Sequence, residues 1–484
     1  MKIVEGIIHP RYLVLSLLFH FFLAIALLPK TSNAQSNTPT SFDELLKLVA
    51  GDPKAGDQFG FSAALDGDTL VVGAIGEDGG PGDPVNGAGA IYVFERDHGG
   101  PDNWGQVAQL HAGDPQVQDV FGFSVAISGN TIVAGAVFED GGDGNPFPWG
   151  GAAYVFERDL GGPDNWGQAE KLSPSDQQAI DNFGRSVSIH GDTIVVGASG
   201  EDGGAGDPIT DSGAAYVFER DQGGPDNWGK VAQLHAGSAQ AFDHAGYAVD
   251  IHADTIVVGT WVTRTGGLAD DAGAAFVFER DLGGSGNWGE AAVLNSADAQ
   301  EGDQFGISVA IDGDTIVAGA NREDGSSGDP VEDAGAAYVF RRDVGGADHW
   351  GQAAKLTAED LQAGDLFGNR TAIAGDRVAI GAWSEDGGAG DPRLDAGAVY
   401  VFEQNQGGPD QWGQTDKLTS SDTQADDHFG VSTGLSGDVL VAGASFESGG
   451  DGDPLPTAGA VYVFEAAPVV VDEVIYLPVV IHSP

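Results

Sequence analysis

The feature that most constrains the fold of this chain is a Phe-Gly dipeptide that returns at an almost fixed interval. Successive copies are 62 residues apart, except for one interval of 60 residues, and Ala245-Gly246 stands where one copy is due. A fixed period of this kind is typical of repeat proteins, in which each copy is one supersecondary unit. The sequence therefore predicts seven copies of one unit. The six Phe-Gly pairs are Phe59-Gly60, Phe121-Gly122, Phe183-Gly184, Phe305-Gly306, Phe367-Gly368 and Phe429-Gly430.

Each copy has the pattern of four short β-strands. In the third copy, residues 183–189 and 193–198 flank a tight turn at His190-Gly191, and residues 214–219 and 228–234 follow after Gly-rich loops. Four strands per period are typical of a propeller blade, so we predict an all-β, seven-bladed β-propeller of four-stranded blades. The small Gly-Ala pair that ends the second strand, as at Gly197-Ala198, predicts a crowded position near the propeller axis.

The two ends of the repeat array complement each other. Six copies finish with a Trp-Gly strand, whereas the seventh stops after residues 461–465, and an unassigned strand lies at residues 45–49. An open solenoid would instead need polar caps at both ends. We therefore predict that the N-terminal strand pairs with residues 461–464 and closes the ring, which removes two exposed sheet edges.

The termini lie outside the repeats. Residues 1–34 have the pattern of a signal peptide, because Lys2 and Arg11 precede an apolar run that ends near Ser32-Asn33-Ala34. An uncleaved signal anchor is the alternative, and after cleavage we expect no membrane span. The propeller should occupy residues 35–465, and residues 466–484 predict either an edge strand or a surface-sorting tail. We expect a monomer that is secreted, extracellular or attached to the cell surface.

Composition restricts the possible functions. The chain has 73 acidic residues against 21 lysines and arginines, a net charge of -52, and it contains no cysteine. Such a charge disfavours nucleic acid as a partner and attracts cations. There is no Cys nucleophile, no G-x-S-x-G motif and no metal-ligand spacing among the 11 histidines. We therefore predict that the protein is not an enzyme, although its many carboxylate pairs leave a hydrolase as an alternative.

The Phe-Gly and Gly-Ala pairs together resemble the FG-GAP repeat of integrin α-type β-propellers. The resemblance covers residues 45–465 and implies a secreted, bacterial-like member of a family that mediates adhesion and recognition and often binds calcium. This chain departs from the family pattern in two ways: the proline that usually follows Gly-Ala is absent, and the turn between the first two strands, as at Asp66-Gly67-Asp68, is too short for a calcium loop. The family's calcium sites are therefore not transferred to this chain.

Acidic residues concentrate between strands two and three and just before each Phe-Gly, two positions that a four-stranded blade places on one face. Carboxylates beside Gly-rich backbone suit Ca²⁺, the one cofactor that we consider. The alternative is that Asp, Gly and Pro simply close tight turns, with Asp accepting backbone N–H groups. The candidate metal ligands are Glu77, Asp78, Asp83, Glu201, Asp202, Asp207, Glu323, Asp324, Asp329, Glu385, Asp386 and Asp391.

Blade four departs most from the repeat. It has Trp261 after its second strand and Arg264 where other copies have acidic residues, while Trp383 and Trp149 add aromatic rings to the same face. These four residues are our candidates for ligand contact, because Trp and Arg are enriched in binding hot spots. Drift in a redundant copy is the alternative. We thus expect a binding or adhesion scaffold for an extracellular protein or glycan, with a carbohydrate-binding module as the other reading.

On the opposite face, a Glu-Arg-Asp sequence follows the third strand of four copies, as at Glu157-Arg158-Asp159. Its regularity predicts an ion pair that holds the turn between strands three and four.

Overall fold

The computed structural model describes residues 41–467, except 80–84, 143, 145, 203–208, 223, 239, 264–270, 325–330, 388–392, 407 and 449–454. The described residues form seven four-stranded antiparallel sheets arranged as the blades of a β-propeller. Twenty-eight strands are found in this part of the chain. The described residues contain no helix that is long and apolar enough to cross a membrane. The predicted all-β, seven-bladed architecture is confirmed.

The strands follow one another from the inside of each blade to its outside. Strand β1 is Phe42–Leu48, and blade one consists of β2 (Phe59–Asp66), β3 (Thr69–Ala74), β4 (Ala90–Glu95) and β5 (Gly105–Leu110). Blade two consists of β6 (Phe121–Ser128), β7 (Thr131–Ala136), β8 (Ala152–Glu157) and β9 (Gly167–Leu172). Blade three consists of β10 (Phe183–His190), β11 (Thr193–Ala198), β12 (Ala214–Arg220) and β13 (Trp228–Leu234).

The same order continues around the ring. Blade four consists of β14 (Ala248–His252), β15 (Thr255–Thr260), β16 (Ala274–Arg280) and β17 (Trp288–Leu294). Blade five consists of β18 (Phe305–Asp312), β19 (Thr315–Ala320), β20 (Ala336–Arg341) and β21 (Gly351–Leu356). Blade six consists of β22 (Arg370–Ala374), β23 (Arg377–Ala382), β24 (Ala398–Gln404) and β25 (Trp412–Leu418), and blade seven contains β26 (Phe429–Ser436), β27 (Val439–Ala444) and β28 (Ala460–Ala466).

The N-terminal strand closes the ring, as predicted. Strand β1 is the outer strand of blade seven and runs antiparallel to β28, with Leu48 opposite Val461 and Phe42 opposite Ala466. The strand begins three residues earlier than the predicted residues 45–49. Blade seven is therefore made from both ends of the repeat array, and the two sheet edges are paired.

The hydrophobic core lies between neighbouring blades. In the third strand of blade one, Tyr92 and Phe94 pack edge-on against Phe59 of the same blade, with ring centroids 5.4 and 5.9 Å apart. The alternate residues Ile91 and Val93 pack in the cluster that contains Phe121 of blade two. Successive side chains of a strand point to opposite faces. Each apolar third strand thus fills two blade interfaces, which explains its continuous burial.

Glycine is required where neighbouring blades approach most closely. Gly73 belongs to the Gly-Ala pair at the end of the second strand of blade one. A Cβ atom added to Gly73 would lie much closer than 3.0 Å to the carbonyl oxygen of Gly122 in blade two, a distance that real Cβ atoms essentially never show. Gly122 itself has a φ of 87°, which favours glycine. The equivalent pair recurs at all seven interfaces, from Gly135 with Gly184 to Gly443 with Gly60. The Gly-Ala pair is thus explained by a contact between blades, whereas we predicted crowding at the axis.

Arginine side chains also link neighbouring blades. The Arg158 guanidinium pairs with Glu95 of the preceding blade at 2.6 Å and lies over the Trp166 ring, 4.9 Å from its centroid. Arg96 reaches Glu465 in the same way at 2.7 Å. The predicted ion pair within the turn is present in blade one, where Arg96 also pairs with Asp102 at 2.9 Å. The prediction missed the second partner, because the arginine extends across the blade interface to the glutamate of the previous copy.

Ring closure through β1 predicts different costs for two leucines of that strand. Leu48 is 6% exposed and packs among blade-seven and blade-one residues, whereas Leu45 is 38% exposed. We expect Leu48→Ala to lower the free energy of unfolding by about 2 to 5 kcal/mol, and Leu45→Ala to lower it by less than about 1 kcal/mol. Urea denaturation of both variants measures the difference. Equal effects would contradict a closure that depends on packing of β1.

Candidate functional site

One face of the propeller carries the loops between strands two and three and the segments that lead into each Phe-Gly; we call it the loop face. In blade three, Phe183 at the start of β10 is paired with Ala198 at the end of β11, so both segments emerge at the same end of the blade. Gly89 and Phe121 form a bridge between blades one and two at this end. Those of the predicted acidic residues and aromatic candidates that the structure describes therefore share a face.

In blades one, two, five, six and seven, the first aspartate of the lead-in segment is hydrogen-bonded to its own blade. Asp114 accepts hydrogen bonds from the Tyr154 hydroxyl at 2.8 Å and from Lys171 Nζ at 2.7 Å, and Lys171 also reaches Glu139 at 2.8 Å. Burial acts to raise the pKa of Asp114, but the hydrogen bonds from Lys171 and Tyr154 outweigh it and hold that pKa below its ordinary value. The aspartates with this arrangement and a lowered pKa are Asp114, Asp298, Asp360 and Asp422.

The second aspartate of each lead-in segment is buried and accepts a backbone N–H from the residue three positions earlier. Asp181 Oδ2 lies 2.6 Å from the backbone nitrogen of Gln178, and Asp181 is only 2% exposed. Burial raises the pKa of Asp181 to about 7, and the charge of Glu201 acts in the same direction. Burial likewise raises the pKa of Asp365 to about 7 and that of Asp57, Asp119, Asp303 and Asp427 to about 6.

The candidate metal ligands occupy two different environments. The glutamates Glu77, Glu201, Glu323 and Glu385 are buried under their loops, where Glu385, for example, pairs with Lys417 at 2.7 Å. The aspartates Asp78, Asp202, Asp324 and Asp386 each accept a backbone N–H from the far end of the same loop, at 2.7 to 2.9 Å. This is the role of turn closure that we considered as the alternative to metal binding.

The third acid of each loop, namely Asp83, Asp207, Asp329 and Asp391, lies outside the described residues. Within the described ranges, no group of three or more His, Asp or Glu side chains is arranged to hold a metal ion. Calcium binding at the loop face stays a prediction.

Two of the aromatic candidates are half-buried against histidines. Trp261 stacks on His244, with ring centroids 6.0 Å apart and planes within 4°, and it also contacts Tyr247. Trp383 packs against His428 at 4.6 Å. Burial lowers the pKa of His428. Arg264 lies outside the described residues, so its position relative to Trp261 stays a prediction.

The third aromatic candidate, Trp149, belongs to an exposed apolar patch on blades two and three. Trp149 is 54% exposed and contacts Phe138, which is 37% exposed, at a centroid distance of 5.7 Å. Ile180, 51% exposed, donates its backbone N–H to Pro148, and Phe147 lies in the same loop. We call Phe138, Phe147, Trp149 and Ile180 the aromatic patch. Ile180 was not predicted from the sequence.

Two residues of the aromatic patch occupy strained backbone. Ile180 has a φ of 75°, at a position where blades one, five and six have glycine, and Trp149 has a φ of 59°. A β-branched residue in the left-handed region is an outlier, and such strain costs about 1 to 3 kcal/mol. Ile180 was detectable as the one copy with isoleucine three residues before Phe-Gly. The equivalent positions also have positive φ in the other copies, as at Gln118 and Asp211, so this backbone belongs to the repeat. What distinguishes the aromatic patch is that exposed Trp and Ile side chains occupy these positions.

The fold and the loop face define a seven-bladed β-propeller built from one repeated unit. The FG-GAP repeat model matches seven segments that together cover more than half of the chain, and the chain therefore belongs to the FG-GAP repeat family. A search of curated protein sequences found no match. FG-GAP propellers are typically non-catalytic binding scaffolds and are typical of extracellular proteins. The matched segments are residues 42–94, 104–156, 166–218, 228–278, 288–340, 350–402 and 412–464.

The buried aspartates predict that the protein is more stable in weak acid than at neutral pH. A carboxyl whose pKa is higher in the folded than in the unfolded chain stabilises the fold fully below pH 3.8, and this stabilisation is lost as the pH rises through the folded-state pKa of about 6 or 7. We expect each of these aspartates to contribute about 1 to 3 kcal/mol more at pH 5 than at pH 8. The aspartates with lowered pKa act oppositely, and their contribution is lost below about pH 4.

Urea denaturation at pH 5 and pH 8 measures this dependence. Asp181→Asn should reduce the difference between the two pH values, because the amide cannot ionise. Asp226→Asn, at an exposed position of the same blade, controls for the general relief of negative charge. If both variants kept the same pH dependence as the native chain, the assignment to buried aspartates would be wrong.

Proposed function

We propose that this protein is an extracellular binding scaffold that recognises a protein ligand through the aromatic patch of its loop face. The observation that carries the proposal is the exposed Trp149 ring, which contacts the exposed Phe138 ring, together with the exposed Ile180 that is bonded to the same loop. Exposed apolar clusters bordered by polar residues mark interaction sites, and aromatic residues are enriched in interface cores. The rigid four-stranded blades would hold these side chains in place for binding.

Charge supports a ligand with basic groups. The net charge of the chain is -52, and the aromatic patch lies on the face that carries the acidic loops. Complementary charges on two proteins raise their association rate and favour some partners over others. Dissolved salt screens the charges and weakens both effects. We therefore infer that the ligand presents an apolar centre surrounded by Lys or Arg, and that its association rate falls as ionic strength rises.

Secretion belongs to the same proposal. The signal-peptide pattern at residues 1–34 lies outside the described residues, as does the tail at residues 466–484 beyond residue 467. Both patterns support export followed by release or surface attachment. A glycan ligand is the alternative that the sequence raised, and a glycan array distinguishes it from a protein ligand.

Removing the Trp149 ring tests the aromatic patch. A ligand isolated by pull-down from the native cell surface should bind Trp149→Ala at least about 25-fold more weakly, because a buried hot-spot aromatic contributes about 2 kcal/mol or more. Leu160→Ala is the matched control, since Leu160 is also exposed and apolar in blade two but follows the third strand, on the opposite face. Calorimetry measures both affinities. Equal loss in the two variants, or none in either, would remove the patch from the binding surface.

Calcium binding has its own test. We expect Ca²⁺ to bind the acidic loops weakly, with a dissociation constant of about 10⁻⁴ to 10⁻³ M, as in other extracellular modules. A calorimetric titration should give heat in the native chain and less in a variant with Asp83, Asp207, Asp329 and Asp391 changed to Asn. A titration with no heat and no change in melting temperature would contradict this expectation.

A further inference from the structure

The first strands of the blades surround a central channel with a cavity of about 230 Å³. Its wall is formed by residues two to four positions after the phenylalanine of each Phe-Gly, which are mostly apolar or serine. The serine hydroxyls of four blades are already engaged, because each donates to the glycine carbonyl of the next blade at 2.7 to 2.8 Å. These serines are Ser62, Ser124, Ser308 and Ser432.

Two arginines interrupt this pattern. Arg185 in blade three stands where blades one and two have phenylalanine, and Arg370 in blade six stands where most blades have serine. The Arg185 guanidinium lies 3.9 Å from the centroid of the Tyr247 ring, and Nη1 of Arg370 donates to the carbonyl oxygen and Oδ1 of Asn369. Neither arginine forms an ion pair with any described residue, and the described lining of the cavity contains no carboxylate.

The channel wall also holds hydrogen-bond donors that have no acceptor. Nε of Arg185 and the hydroxyl oxygens of Thr371 and Thr433 are buried without a partner in the described part of the chain. The Ser186 hydroxyl accepts the Val249 N–H at 3.0 Å, which leaves its own proton for another acceptor. Buried donors without a protein acceptor are rare in folded proteins, and a bound water or ion is their usual partner.

Electrostatics select between a water and an ion. Burial lowers the pKa of Arg370, and the nearby positive charge of Arg185 lowers it further, against the opposing effect of Tyr247. Both arginines are half-buried, and two like charges without a described counter-charge are unfavourable where water has only partial access. The chain has 73 acidic residues, yet none of those that the structure describes lines this cavity. An acceptor for these donors should therefore carry negative charge and come from solution.

We propose that the central channel binds one small oxyanion, a sulfate, phosphate or carboxylate group, between Arg185 and Arg370. The planar guanidinium fork matches two oxygens of such a group, and Ser186, Thr371 and Thr433 supply neutral donors. Since a water occupies about 30 Å³ of liquid, the cavity has room for a small ion with a few waters. The site is independent of the aromatic patch, which lies in the loops rather than in the first strands.

Thermal unfolding and calorimetry of the full chain test the site with sulfate, phosphate and acetate, each compared with sodium chloride at equal ionic strength. At least one oxyanion should bind the native protein saturably and raise its melting temperature, since a ligand that binds only the folded state stabilises it. Arg370→Gln and Arg185→Gln should each weaken binding about 10- to 100-fold. The three salts distinguish tetrahedral anions from carboxylates as the occupant.

Arg322→Gln is the matched control, because Arg322 is an exposed arginine in a loop of blade five. Sulfate stabilises many proteins non-specifically, so an equal rise in melting temperature in all variants would overturn the proposal. Arg370→Lys keeps the charge without the fork and should bind with intermediate affinity, which provides a second variant if Arg370→Gln does not fold. Absence of saturable binding by the native protein in all three salts would also overturn the proposal.

Discussion

The contact between two glycines at each blade interface is the constraint on which the rest of the propeller depends. The glycine that ends one second strand, such as Gly73, lies against the Phe-Gly backbone of the next blade so closely that no Cβ fits between them. Ser62 then donates to the Gly122 carbonyl across the same interface. Seven repetitions of this spacing bring the first and last blades together, where β1 completes the final sheet.

Close blade packing explains why the acidic loop face is less open than its composition indicates. Each lead-in segment is joined to the loop of the preceding blade by backbone hydrogen bonds, as from Phe121 to Ala88, whereas its carboxylates are bonded within the lead-in segment and its own blade. Asp114, Glu139 and Lys171 form one such network within blade two. Positions at which all copies agree therefore serve the scaffold. Positions at which one copy departs, such as Trp149, Ile180, Arg185 and Arg370, are free to serve recognition.

Much of the scaffold was predictable because its signals are local and repeat seven times. Strand number, hairpin turns and the closing strand followed from spacing alone. The direction of side chains was harder to predict. Glu385 was expected in an open acidic loop, yet its side chain is buried and forms an ion pair with Lys417 of the outermost strand. Arg158 was assigned to its own turn, but its partner Glu95 is one full copy away. Such pairings depend on how blades stack, which local pattern does not contain.

The sequence by itself determined the seven-copy ring, because a period of 62 residues with glycines at both ends of each hairpin has few ways to bury its apolar strands. Only the tertiary structure decided which carboxylates are buried and which aromatic rings are exposed. It alone also placed Arg185 and Arg370 in one cavity, although they lie three blades apart in the chain. The physical reason is ring closure, which brings the first strands of all blades around a common axis.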